Sequence, residues 1–123
     1  MNIPEKKISR TLLEFGEPLL GLLDDPTPEE FRAMLNIVIA VWNAHGVSIA
    51  NKAGRGMYLE ELARLRQQMA HEGAPAVLLN GLDTLSRRRE VDHADDPRCV
   101  GEWDLIADGE GGYRLRCEAR LPG

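Results

Sequence analysis

Apolar residues recur every three or four positions along most of the chain, which is the period of helices that bury one face. The clearest stretch follows TPEE at 27–30, in which Thr27 and Glu30 can form a capping box and Pro28 suits the first helical position. From there to Gly46, apolar side chains cover nearly the whole circumference. The pattern therefore predicts a central helix of the fold or half of a dimer interface.

A second helix is predicted over 9–23, on the N-terminal side of the first. Pro18 lies inside its apolar pattern, where it removes a backbone hydrogen bond and clashes with the preceding turn. This helix should therefore kink or break near Gly16.

Two more helices are predicted after the central one, over 57–71 and 75–89. Gly81 in the last of them would allow close contact with another helix, at a cost of about 1 kcal/mol in helix propensity. The segment 46–56 between the central helix and the third is predicted as a loop, in which VSIA at 47–50 could add a very short strand.

After Cys99 the apolar period changes to two, as in half-buried strands. CVGEWDLIA and YRLRCEARL alternate apolar and polar residues, and DGEGG at 108–112 supplies turn residues between them. The register can shift only in steps of two, because a one-residue slip would invert the apolar face. The favoured register sets these residues opposite one another: Trp103 and Cys117, Leu105 and Leu115, Ala107 and Tyr113, Asp104 and Arg116.

One pair in this register is unfavourable. Glu102 faces Glu118, and like charges directly opposite are destabilising, so a neighbouring register with Glu102 against Arg116 stays open. Cys99 lies opposite Leu121 in the favoured register. That places the two cysteines about 13 Å apart along the strands, too far for a disulfide.

These elements predict an α+β fold of about four helices followed by a C-terminal antiparallel hairpin that packs on them. We expect a single domain over 1–123, with a helical part at 8–90 and the hairpin at 98–121. A lone hairpin is marginal in water, so its edges should meet VSIA or another subunit. This is one reason to expect a dimer, and the apolar central helix is the other.

Composition narrows the classes of function. The chain has 123 residues and a net charge of −5, which argues against a general nucleic-acid binder. The longest apolar run, AMLNIVIAVW, is far short of the ~20 residues of a membrane span, so no membrane partner is expected. The start of the chain lacks the apolar region of a secretory signal and there are two cysteines, which together predict a cytoplasmic protein.

The most polar stretch is RRREVDHADDPRC at 87–99. It contains residue types that bind metals, and the candidate ligands are His93, Asp95, Asp96 and Cys99. Their spacing matches no metal motif, and helix capping by the arginines followed by an ADDP turn explains the same residues. A metal-dependent enzyme or metal-binding protein with a site in the 92–104 loop, including Glu102, remains the alternative. No cofactor is predicted.

A second alternative is nucleic-acid binding by an arginine group. Its members are Arg87, Arg88, Arg89, Arg114, Arg116 and Arg120. The acids among and beside them, and the scarcity of aromatic residues that could stack on bases, argue against it.

No catalytic constellation is visible in the sequence. The hypothesis that remains is a small non-enzymatic protein-interaction module that forms a homodimer or binds another protein. The candidate partner-binding residues are Ile39 and Trp42 on the central helix, and Arg114 and Arg116 on the polar face of the hairpin.

Overall fold

The computed structural model describes residues 7–50, 54–94, 96, 98–107, 109–110 and 112–120, with the backbone alone for 46–50 and 54–59. Within them, five helices precede two antiparallel strands, so the predicted α+β fold is confirmed. The elements are α1 (Ile8–Phe15), α2 (Glu17–Leu20), α3 (Pro28–Ala50), α4 (Gly54–His71), α5 (Ala76–Val91), β1 (Cys99–Ala107) and β2 (Tyr113–Arg120).

The predicted break in the first helix lies at Gly16 and divides it into α1 and α2. Pro18 falls in the first turn of α2, where its missing N–H removes no helical bond. Both short helices direct side chains into the interior: Leu12, Phe15 and Leu19 are all fully buried.

The capping box at the start of α3 is confirmed. The Thr27 N–H donates to Glu30 Oε1 (3.3 Å) and the Glu30 N–H donates to Thr27 Oγ1 (3.2 Å). The predicted end at Gly46 was wrong, because α3 continues to Ala50, and so was the strand at 47–50. A glycine inside a helix costs only about 1 kcal/mol, so it does not end a helix by itself. Residues 51–53 of the predicted loop lie outside the described residues.

α4 and α5 match their predicted positions to within three residues at each end. Gly73 follows α4 with φ of +85°, a left-handed conformation that glycine adopts without strain. The close approach predicted at Gly81 is also present. A Cβ atom added there would lie 2.5 Å from a methyl carbon of Leu19, so α5 packs directly on α2.

β1 and β2 pair in the predicted register from Trp103 to Ala107. A bulge between Val100 and Trp103 then shifts the register by one residue. As a result Val100, rather than Cys99, faces the helices, and Cys99 pairs with Arg120 instead of Leu121. The prediction that Cys99 lies opposite Leu121 was therefore wrong.

The bulge has an electrostatic consequence. Glu102 lies within it, and neither Glu102 nor Glu118 has a direct cross-strand partner in the ladder. The unfavourable Glu102–Glu118 pair of the sequence-based register is thereby avoided, since a bulge inserts one extra residue and breaks the direct opposition.

The core lies between α3, the other helices and the inner face of the hairpin. Leu105 and Leu115 of the hairpin are buried in it, and Trp103 and Cys117 are half-buried against it. Cys99 and Cys117 are both free thiols. No described helix combines the length and apolar character needed to span a membrane.

Candidate functional site

Trp42 of α3 is the residue against which the segment connecting α5 to β1 packs. It is fully buried on α3 and makes edge-to-face contacts with Phe15 (ring centroids 5.2 Å apart) and His93 (5.4 Å). Phe15 and His93 also meet edge to face at 5.6 Å, so the three rings form one cluster. The imidazole of His93 is thus a packing group between two aromatic rings.

Arg89 covers the face of this tryptophan. It is fully buried, and its guanidinium carbon lies 3.6 Å from the Trp42 ring centroid, a cation–π contact in a desolvated site. The guanidinium donates to the backbone carbonyls of Trp42 (3.3 Å) and Asp96 (2.9 Å), and to that of His93. Arg89, predicted as one of the arginines that cap the end of this helix, is therefore also part of the core.

Asp96 and Arg98 form a buried ion pair beside it. Each side chain is 6% exposed, and Arg98 Nη2 and Nε donate to the carboxylate at 2.7 and 3.0 Å. Arg98 also donates to Thr11 Oγ1 (3.2 Å), and its backbone carbonyl accepts the indole N–H of Trp42 (2.7 Å). These bonds fix the start of the hairpin to α1 and α3.

The electrostatics of the segment suit this structural role. Burial by itself would raise the pKa of the Asp96 carboxyl, but hydrogen bonds from Arg98 and the charges of Arg98 and Arg89 lower it below its ordinary value. Burial lowers the pKa of His93, with further lowering by Arg89 and Arg88. Near neutral pH, Asp96 is therefore charged and His93 is neutral.

The structure does not bring the candidate metal ligands into one site among the residues it describes. Asp96 is occupied by Arg98, and His93 packs against two rings. Burial raises the pKa of the Cys99 thiol, which disfavours the thiolate that metals bind. Asp95 lies outside the described residues. Across the described part of the chain, no three His, Cys, Asp or Glu side chains are grouped so as to hold an ion.

The candidate partner-binding residues divide into two groups. Trp42 is 0% and Ile39 is 6% exposed, so both belong to the core of their own chain and offer no surface to a partner in this fold. Arg114 and Arg116 are exposed on the outer face of β2. Any docking surface among the predicted residues is thus on the hairpin.

The arginine group is not one exposed patch. Arg89 is buried, and Arg88 is half-buried with Nη2 donating to the Glu14 carbonyl (2.9 Å). Arg120 pairs with Glu118 in its own strand at 2.6 Å. This distribution gives the nucleic-acid alternative no continuous basic surface, which phosphate binding requires.

The outer edge of β1 is closed at Val100 by a side chain of α3. Asn43 Nδ2 donates to the Val100 carbonyl (3.0 Å), and Asn43 Oδ1 accepts the Val100 N–H (2.7 Å). A carboxamide thus takes the place of a neighbouring strand at this residue. Sequence reasoning missed this role, because the polar position on an apolar helix gave no indication of its distant partner.

We expect Asn43→Asp to lower the free energy of unfolding by about 1–3 kcal/mol. The aspartate has the same shape but cannot donate to the Val100 carbonyl, and it sets a negative charge against that oxygen. Urea unfolding followed by circular dichroism measures the change. Asn36→Asp, at an exposed position of the same helix, is the matched control and should shift stability by no more than about 0.5 kcal/mol. Equal effects of the two variants would contradict the role of Asn43.

The Asn43 contact also indicates in which direction the backbone N–H and C=O groups of β2 point. Both polar groups of Val100 bond to Asn43, so Val100 and its partner Ala119 form a pair without mutual hydrogen bonds. The N–H and C=O of Ala119 therefore point away from β1. The extra residue of the bulge lies in β1, so β2 is a regular strand. In a regular strand every second residue points its backbone groups to the same side. The N–H and C=O groups of Tyr113, Leu115 and Cys117 therefore point away from β1 as well.

The outer edge of β2, defined as the backbone of these four residues, is an open edge of the sheet. Among the described residues, the sheet has two strands and no hydrogen bond joins this edge to another element. The side chains around it range from buried Leu115 to exposed Ala119, and Tyr113 is 52% exposed. An unpaired edge of this kind is a template for another strand.

A surface groove of about 370 Å³ between α3 and α4 was the other candidate for a binding site. Its polar lining residues already have partners: Glu61 pairs with Arg64 (2.7 Å), Gln68 donates to Glu72 (3.3 Å), and Asn43 binds Val100. Its remaining lining residues are apolar. The groove therefore presents no group that would select a ligand.

No protein-family model, curated protein sequence or solved structure matches the chain significantly.

Proposed function

We propose that this chain is a small cytoplasmic protein-interaction module, without enzymatic activity, that self-associates by adding a strand of a second copy to the open edge of β2. The single observation that carries the proposal is the difference between the two edges of the sheet. Asn43 occupies the edge of β1 at Val100, whereas the backbone groups of β2 point outward without a described partner. Strand addition satisfies such groups and gives affinity through main-chain bonds.

Other features are consistent with this function. Arg89, Asp96 and Arg98 bond to groups around Trp42 and hold the hairpin in place. The stretch at 87–99, which has the most charged residues, therefore has a structural role. A rigidly held strand loses little conformational freedom when it pairs, which favours association. The free thiols of Cys99 and Cys117 fit a reducing compartment.

Replacement of Ala119 by proline tests the proposal. Proline removes the outward N–H while leaving the β1–β2 bonds intact, since proline is tolerated on an edge strand when its N–H would face solvent. We expect the wild-type chain to sediment as a dimer and Ala119→Pro to sediment as a monomer with an unchanged near-ultraviolet circular dichroism spectrum.

Ala119→Val is the matched control, because it also enlarges the exposed side chain but keeps the N–H and favours strand structure. It should remain dimeric. The proposal fails if the wild-type chain is a monomer at the highest concentration that stays in solution. It also fails if folded Ala119→Pro associates as strongly as Ala119→Val.

A further inference from the structure

We infer that two copies pair β2 against β2 about a two-fold axis that passes through Arg116, and that Arg114 and Glu118 recognise each other across this interface. This inference rests on the proposed function and specifies its register. It identifies the residues that make a second copy of this chain, rather than any extended strand, the preferred occupant of the edge.

The faces of the hairpin restrict the register first. A two-fold axis perpendicular to the sheet keeps the helices of both copies on one side, so inner residues must oppose inner residues. Only registers that pair residues of equal parity satisfy this condition, since a one-residue slip would set apolar side chains against charged ones. Adjacent permitted registers therefore differ by two residues at each position.

Backbone pairing selects among these registers. The outward residues of β2 are Tyr113, Leu115, Cys117 and Ala119. With the axis at Arg116, Tyr113 opposes Ala119 of the second copy and Leu115 opposes Cys117 of the second copy, so all four outward residues are paired. Moving to either adjacent permitted register leaves the outward residue at one end of β2 without a partner inside the described strand.

Charge on the outer face selects the same register independently. With the axis at Arg116, Arg114 of each copy faces Glu118 of the other, which gives two opposite-charge pairs per dimer. The adjacent permitted registers set Arg114 against Arg116 or against Arg120, both like-charge pairs. The second of them also sets Arg116 against Glu118, so its two attractive pairs only offset its two repulsive ones, whereas the axis at Arg116 gives two attractive pairs and one repulsive pair. Within its own hairpin Arg114 lies across from Ile106, so it has no acidic residue directly opposite in β1. Glu118 bonds Arg120 of its own strand through Oε1 (2.6 Å), so Arg114 of the second copy would share this carboxylate with Arg120.

At the two-fold axis, the repulsion between the two Arg116 side chains is reduced by an acidic residue of each copy. Arg116 meets Arg116 of the second copy there, but each one lies opposite its own Asp104 in β1. Asp104 is itself ion-paired with Arg32 (3.0 Å), and the nearby charge of Arg116 contributes to lowering the pKa of its carboxyl, after the hydrogen bonds from Arg32 and Leu105. Arg116 therefore faces its counterpart beside an ionised carboxylate.

The exposed side chains of Tyr113 and Ala119, at the two ends of β2, are consistent with this register. Tyr113 is an aromatic residue with 52% of its surface exposed, and it would lie directly opposite exposed Ala119 of the second copy on the inner face. Cross-strand contacts of an aromatic side chain stabilise paired strands.

Disulfide cross-linking can identify the residue that lies on the two-fold axis. Arg116→Cys is made in a Cys99→Ser, Cys117→Ala background and treated with oxidised glutathione. Two thiols become one disulfide while the glutathione disulfide is reduced to two thiols. At the axis, the two Cα atoms would be about 4.5 Å apart, within the range of a disulfide. Most of the Arg116→Cys chain should therefore become a covalent dimer.

Arg114→Cys in the same background is the control, since the two copies of that position would be about 13 Å apart along the strand. It should give no covalent dimer above the level of the background. Covalent dimer from Arg114→Cys, or none from Arg116→Cys in a preparation that sediments as a dimer, overturns the register. A covalent dimer of wild-type chains through Cys117 would place the axis one residue along the strand, in an adjacent permitted register, and overturns it as well.

Charge reversal supplies the second measurement. Arg114→Glu and Glu118→Arg each turn two attractive pairs into repulsive ones, and each should raise the dimer Kd about tenfold. The double variant restores attraction and should return to within about threefold of the wild-type Kd. A double variant as weak as the singles contradicts the pairing. These outcomes are separable from failure of the proposed function, which a monomeric wild-type chain or a fully dimeric Ala119→Pro variant would establish.

Discussion

Replacement of Arg89 by methionine should lower the free energy of unfolding by about 3–5 kcal/mol, a large share of the stability of a domain of this size. Methionine fills much of the same volume but donates no hydrogen bond. The backbone carbonyls of Trp42, His93 and Asp96 would all lose their guanidinium donor at once. The His93 carbonyl keeps the Asp96 N–H as a donor (3.1 Å), but a buried polar group left without a partner costs about 1–3 kcal/mol, and the cation–π contact with Trp42 is lost in addition.

The Arg89→Lys variant separates the contribution of the positive charge to stability from that of the guanidinium geometry. Lysine keeps the positive charge, but it lacks the planar fork that reaches several carbonyls and the flat surface that stacks on an indole. We expect an intermediate loss of about 2 kcal/mol. Urea unfolding followed by far-ultraviolet circular dichroism measures both variants, and Arg89→Lys gives a result even if Arg89→Met does not fold.

Arg87→Met is the control for the Arg89 variants. Arg87 lies in the same turn of α5 but is exposed, so its replacement should change stability by no more than about 0.5 kcal/mol. If Arg87→Met and Arg89→Met unfold at the same urea concentration, Arg89 is not a structural residue.

The role of Arg89 also marks the limit of what the sequence could predict. Periodicity assigns charged residues at a helix end to solvent, and three consecutive arginines fit a helix C-terminus well. The carbonyl of Trp42 is 47 positions away in the chain. No local pattern indicates such a partner, so the sequence predicted helix capping and a turn at 87–99 but did not predict that Arg89 belongs to the core.

The elements themselves could be predicted because their causes are local. The Thr27–Glu30 capping box, the break at Gly16 and the alternation after Cys99 each depend on residues a few positions apart. The register from Trp103 to Ala107 followed from face alternation and loop length alone. The bulge could not be predicted in this way, since it accompanies the contact of Val100 with Asn43 on a distant helix.

The candidate interaction edge depends on the same distant contact. The sequence predicted a hairpin with unsatisfied edges, and it named Arg114 and Arg116 as exposed partner-binding residues. It could not distinguish the β1 edge from the β2 edge. That distinction requires knowing that Asn43 binds both polar groups of Val100, which only the packing of α3 against β1 reveals.

The second large effect is expected at Asp96. Asp96→Asn keeps the shape of the side chain but removes the charge that balances Arg98, and both side chains are only 6% exposed. Removing one partner of a buried ion pair leaves an uncompensated charge and costs about 3 kcal/mol or more. We expect Asp96→Asn to lose about 3 kcal/mol at neutral pH, whereas Asp92→Asn, at an exposed position nearby, should remain within about 0.5 kcal/mol of the wild type.

The pH dependence of this difference identifies the ion pair as its cause. The pKa of Asp96 is lower in the folded chain than its ordinary value, so its contribution is fully present above about pH 4 and is lost as the pH falls through the folded value. The stability gap between wild type and Asp96→Asn should therefore persist from neutral pH to about pH 4 and close below it.

His93 acts in both proteins and can only widen this gap, because the charge of Asp96 contributes to raising the pKa of His93 and Asp96→Asn removes that charge. Its pKa is also lowered on folding, so the unfolded chain takes up the proton first and both proteins lose stability as the pH falls below about 6.5. Urea unfolding at intervals between about pH 7 and pH 3 separates the two contributions. A gap that closes near pH 6 would show that the charge on Asp96 is not what holds Arg98 in the core.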